Sequence, residues 1–130
     1  MMSDYPESEY PLQAETYRIN GVCMEVHRIL GRGFLEVVYK DALEYEFRNK
    51  KVPFAREVEY VVPYKDVILP HKFYADFVVY DQIILEVKAQ KALPEEFDFQ
   101  VLNYLAVSKC KIGLLVNFGD TSLKYRRLIL

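Results

Sequence analysis

No apolar run in the 130-residue sequence approaches the roughly 18 residues of a membrane-spanning helix. The opening MMSDYPESEYP is acidic and polar rather than basic and then apolar, so neither an anchor nor a signal peptide is expected. Charge of one sign is lacking too. Lys and Arg total 17 against 19 for Asp and Glu, a formal net charge of -2, so contact with a phosphate chain would need a local basic patch rather than a global field. Only two cysteines occur, Cys23 and Cys110, far apart and without ligand spacing. That suggests no structural zinc and argues for buried or free thiols in a reducing compartment, hence a cytoplasmic protein. Glycine-rich phosphate loops, Cys–His pairs, Ser–His–Asp arrangements, internal repeats and low-complexity segments are also missing. What is present is 52% hydrophobic and 28% charged residues, the composition of one globular domain with a real core. Residues 1–12 read as a flexible leader and 13–130 as that single domain.

Apolar periodicity orders the domain. Ile19, Val22, Cys23, Val26, Ile29 and Leu30 share one helical face, predicting a first helix over 14–30. Gly31 and Gly33 can end it, and Leu35, Val38, Tyr39, Ala42 and Leu43 predict a second helix over 34–50. Residues 54–64 read as a strand, with a turn at Lys65 and Asp66 and a break expected at Pro70 and His71. Pro94, Glu95 and Glu96 start a third helix, KIGLLVNF at 111–118 reads as a buried strand, and SLKYRRLIL as a last, more exposed one. The expected class is α/β, a mixed sheet flanked by helices in the order α-α-β-β-β-α-β-β.

The stretch FYADFVVYDQIILEVKAQK, residues 73–91, is a strand hairpin that carries three charges in its apolar body: Asp76, Glu86 and Lys88. Alternation puts Glu86 and Lys88 on one face and Ile83, Leu85 and Val87 on the other. If residues 80–82 form the loop, Val79 opposes Ile83 and Asp76 falls opposite Glu86, about 4.5–5.5 Å apart at Cβ. Two carboxylates that close repel unless a cation, a proton or the Lys88 ammonium lies between them. Oxygen-only ligands suit Mg²⁺ or Mn²⁺ better than zinc. A buried salt-bridge cluster would satisfy the same spacing, so spacing leaves both readings open.

Asp76, nine residues and then Glu86-Val87-Lys88 resembles the signature of the PD-(D/E)XK nuclease superfamily. GFLEVVY at 33–39 has the spacing G-x-x-E-x-x-Y. With EVHRILGRG before it, EVKA at 86–89, QVLNYL at 100–105 and GLLVNFG at 113–119, the chain resembles the GxxExxY family of that superfamily over about 15–130. The resemblance implies a restriction-endonuclease-like core. It implies that Asp76, Glu86 and the Val87 carbonyl hold Mg²⁺, with Mn²⁺ as substitute, that Lys88 is the catalytic lysine, and that Glu36 and Gln100 complete the catalytic set. Gly33 and Tyr39 match the other letters of the signature, and Asn103 and Tyr104 its later helix. The superfamily's proline-aspartate pair is Ala75-Asp76 here.

Residue chemistry is compatible with that assignment. Glu36 falls at the edge of the second helix's apolar stripe, and Gln100 and Tyr104 share a face of the third. Tyr39 and Tyr104 are expected to pack rather than react. His27 and His71, without partners at ligand spacing, are expected at the surface or at caps, and Glu46 is expected to pair with an arginine. The basic runs at 48–51 and 124–127 read as solvated ends and edges. The implied activity is Mg²⁺-dependent hydrolysis of phosphodiester bonds in DNA, ahead of RNA. The alternative is a nucleic-acid or protein-binding module that retains the fold without turnover. A homodimer would let two sites face one duplex.

Overall fold

The computed structural model describes residues 11–130. Most of the expected leader, residues 1–10, lies outside the described residues. Of its last two residues, Leu12 is buried in the main core and the Pro11 carbonyl accepts a hydrogen bond from Arg127 Nη2 at 2.6 Å.

Helix α1, Gln13–Leu30, buries Ile19, Val22, Cys23 and Val26 of the stripe that the spacing predicts, leaves Ile29 at the end of that stripe exposed, and ends at Gly31 with φ 69°. Helix α2 spans Glu36–Asn49 and buries Tyr39, Leu43 and Phe47, one residue per turn. It starts two residues later than the periodicity suggests, because Gly31 and Gly33 both adopt positive φ and the chain is extended at Leu35. Tyr39 closes this loop. Its hydroxyl donates to the Gly31 carbonyl at 2.6 Å and accepts from the Phe34 N–H at 3.3 Å, while its ring stacks on Phe118 at 4.6 Å. Glycine, glutamate and tyrosine at this spacing therefore make one device: a bent entry, a first helical residue, and a staple one turn on.

Five strands form one sheet in sequence order: β1 (Phe54–Tyr64), β2 (Val67–Val79), β3 (Ile83–Lys88), β4 (Ile112–Asn117) and β5 (Lys124–Ile129). All neighbours are antiparallel except β3 and β4, which are parallel and joined through α3, Glu96–Ser108. The element order and class are those read from the sequence. Strand β2 does not break at Pro70 and His71. The β1–β2 register shifts between Val61 and Pro63, and Pro70 falls within that irregularity, where a missing N–H costs no ladder bond.

The first two strands change faces partway along. Phe54, Phe77 and Val79 join the large core beneath α1 and α2, together with Ile83, Leu85, Val87, Ile112, Leu114 and Val116. Further along the same hairpin, Val58, Tyr60, Phe73 and Ala75 join a second core beneath α3, with Val78, Ile84, Tyr104 and Leu105. Ala75 and Val78 share a face although three residues apart, so the alternation is broken between them. On β1 the break coincides with Glu57, which has φ 55°. Close approach of α3 to the sheet requires Gly113, since a Cβ there would lie 2.3 Å from Val101 Cγ1.

Candidate metal and phosphodiester site

The β2–β3 ladder runs from Val79↔Ile83 to Phe77↔Leu85, which is the register of a three-residue loop. The next rung would pair Asp76 with Glu86. Here side chains replace backbone partners: Glu86 Oε1 accepts from the Asp76 N–H at 3.0 Å, and Asp76 Oδ2 accepts from the Val87 N–H at 2.8 Å. The strands thus separate with their carboxylates turned into the gap, at the rung where the hairpin changes faces. On its other side β3 remains paired through Lys88↔Asn117, which keeps Glu86, Val87 and Lys88 extended.

Glu86 is 3% exposed. Burial first, and then the Asp76 charge, push its pKa up to about 9, so the folded protein keeps a proton on it at neutral pH unless a cation arrives. The Lys88 charge acts in the opposite direction. Its ammonium lies 4.5 Å from the centre of the Phe97 ring, a cation–π contact with the beginning of α3. Tyr104 completes this side. Its hydroxyl is pushed up to about 12, by burial first and then by the charges of Glu86, Asp76 and Glu57.

Asp76, Glu86 and Val87 meet at this rung, and Lys88 follows on β3, near enough for its charge to act on Glu86. Glu36, the first residue of α2, is half-buried one turn before Lys40, and that lysine bonds Asp76 Oδ1 at 2.9 Å. Residues four apart share a helical face, so Glu36 occupies the face that α2 turns towards the carboxylates. Gln100 is exposed on α3, one turn before the buried Tyr104. Among the described residues, no three His, Cys, Asp or Glu side chains gather as a metal cluster. The oxygen groups that meet here are two carboxylates beside the Val87 backbone. That chemistry fits Mg²⁺ or Mn²⁺, which keep several waters and take one or two carboxylates.

Three residues escaped the sequence reading. Lys40 bridges Asp76 and Glu57, and its i+4 spacing from Glu36 was the available signal. Glu57 becomes visible only once the β1–β2 register is known. Asn117, 1% exposed, donates to the Gln90 carbonyl at 2.7 Å and accepts from the N–H groups of Gln90 at 2.9 Å and Gly119 at 3.1 Å. It fixes the chain just past Lys88.

Other expectations are corrected. His27 is buried, with Nε2 3.0 Å from the Asp120 carbonyl oxygen, because α1 packs against the loop after β4. His71 lies within β2, not in a turn. Glu46 pairs with Lys50 at 2.5 Å instead of an arginine, since i+4 on its own helix is nearer. In the basic runs, Lys50 also meets Glu25 at 3.0 Å, and Arg126 donates to the Leu93 carbonyl at 2.7 Å and forms an ion pair with Asp98 at 3.0 Å.

A family model described as the PD-(D/E)XK nuclease superfamily matches residues 13–128. No curated protein matches the chain. Among solved structures, the crystal structure of SSO0001 is similar with a TM-score of 0.56 at 20% identity, covering 95% of this chain and 58% of that one. That likeness is one of fold. The chain spans less than two thirds of that structure's length. With the family model matching nearly its whole length around a site of this composition, the chain belongs to the PD-(D/E)XK nuclease superfamily.

Proposed function

We propose that the protein is a nuclease that hydrolyses phosphodiester bonds of DNA, ahead of RNA, with Mg²⁺ or Mn²⁺ held by Asp76, Glu86 and the Val87 carbonyl. The observation that carries this reading is the pair of facing carboxylates, one of them buried and raised to about 9, at the end of a strand that also presents Lys88. Such a pair is stabilised as a dianion only by a cation, which at this place would polarise the scissile phosphate and lower the pKa of a coordinated water.

The chain's own groups do the rest. Lys88, held at one end by the Phe97 ring, offsets negative charge as it develops on the attacked phosphate. Asp76 and Glu86, each tied to a backbone N–H, are oriented before substrate arrives. Glu36 and Gln100 extend the site through water. The Gly33, Glu36 and Tyr39 spacing supports membership of the GxxExxY family, and a soluble, cytoplasmic homodimer spanning a duplex is the assembly we favour. Among the described residues, no helix is long and apolar enough to cross a membrane.

A second reading, a binding module without turnover, is favoured by one observation: Asp76 Oδ1 already has a cation, the Lys40 ammonium. A cleavage panel of linear, nicked and single-stranded DNA and of RNA, with Mg²⁺, with Mn²⁺ and with chelator, decides between them. Metal-dependent cleavage that Asp76→Ala abolishes is expected. Tight nucleic-acid binding with no cleavage under any metal would establish the module instead.

A further inference from the structure

Lys40 occupies an unusual place. It is on α2, packed on the large core, yet its Nζ leaves that core to bond Asp76 Oδ1 at 2.9 Å and Glu57 Oε1 as well. Lys40 and Asp76 side chains are each 13% exposed, whereas Glu57 is 48% exposed. The ammonium thus sits between a buried carboxylate and one at the surface. Burial works against its charge, but the hydrogen bonds to Glu57 and Asp76 outweigh it and raise its pKa, so it remains a cation. Glu57 is carried there by its left-handed backbone at the rung where β1 changes faces.

We infer that Lys40 is an internal counter-ion that competes with the divalent cation for Asp76, and that Glu57 is the station to which its ammonium withdraws when the cation binds. The inference rests on the metal site proposed above. A lysine stem is flexible enough to release one carboxylate and keep the other, and Glu57 lies on the solvent side, where a displaced ammonium is readily hydrated. Without Glu57, release from Asp76 would leave the ammonium with no acceptor, and competition would sharpen. Lys40 is thus a positioning residue that sets the cation concentration at which the site fills.

Calorimetric titration of Mg²⁺ and of Mn²⁺ into the full chain, at one pH, tests this with four proteins: wild type, Lys40→Met, Glu57→Gln and the double variant. Loss of a charge-assisted competitor should tighten binding roughly tenfold in Lys40→Met. Glu57→Gln should weaken binding several-fold, and that effect should vanish when Lys40 is already Met. Lys40→Gln, which can still hydrogen-bond Asp76, is the second neutral variant should Lys40→Met not fold. It should also bind more tightly, while Lys40→Arg should not. Binding to the neutral variants no tighter than to wild type overturns the competition and leaves the proposed activity standing. An undiminished Glu57→Gln effect in the double variant overturns the withdrawal station. Absence of binding in every protein, wild type included, overturns both this inference and the metal site.

Discussion

Glu86→Gln tests the cost of ionising a buried carboxylate that faces Asp76. In the metal-free protein Glu86 holds its proton up to a pH of about 9, against an ordinary value of 4.5. Between these values the folded state binds about one proton more than the unfolded state, so stability falls as pH rises. The contribution is fully present below 4.5 and is lost as pH passes through about 9. One proton changes stability by at most about 1.4 kcal/mol per pH unit, hence about 3 kcal/mol over two units around neutrality. For a domain of this size that is a fall of roughly 10 °C in Tm. Glutamine keeps the acceptor for the Asp76 N–H, resembles the protonated acid and cannot ionise. The assay is thermal unfolding of both proteins in chelator at several pH values between about 6 and 8, inside the window of the linkage relation. Wild type should lose stability with pH relative to the variant, and added Mg²⁺ should restore wild type alone. Parallel curves for the two proteins would refute the reasoning, because burial and the Asp76 charge would then not be holding a proton on Glu86.

Lys88→Ala should reduce single-turnover cleavage by roughly 10²–10³-fold, the scale for removing one preorganised contact to developing charge, with much less change in substrate affinity. Gly119→Ala should lower stability by about 1–3 kcal/mol, because its Cβ would lie 2.3 Å from the Gln90 backbone N and O. Chemical denaturation measures it, and an unchanged midpoint would show that Gln90 can move aside. Arg126→Ala should cost about 1 kcal/mol through its lost hydrogen bond to the Leu93 carbonyl and lost ion pair with Asp98, while leaving the salt dependence of nucleic-acid binding nearly unchanged. A flattened salt dependence would make Arg126 a phosphate contact instead.

Local rules carried the sequence reading a long way. Helical spacing in α1 and α2 located most of each buried face, with Ile29 and Leu35 at the ends of the predicted stripes exposed, and loop length alone set Asp76 opposite Glu86. Both depend on neighbours in sequence. Lys40 and Glu57 do not: they meet Asp76 only after α2 lies across the sheet and β1 pairs with β2. His27 was misjudged for a related reason. Its helix looks polar at that position until the loop after β4 supplies a carbonyl and Phe118 a neighbouring ring. The run GLLVNFG was visible as a strand, but the need for glycine at 113 and 119 arises from α3 and from Gln90. Among the motif residues, Tyr39 and Gly119 thus hold a backbone in place.

The change of faces at Glu57 and Asp76 also separates what the hairpin does at its root from what it does at its tip. Below that rung both strands are anchored in the main core, and above it they rest on α3 and continue to the exposed turn at Lys65 and Asp66. Residues added at the turn would lengthen the projecting arm without altering the rung that sets Asp76 against Glu86, since loop length is tolerated where the ends stay paired. The reactive geometry is insulated from the reach of the arm. Relatives or redesigned versions can therefore change what the tip touches while inheriting the same carboxylate spacing.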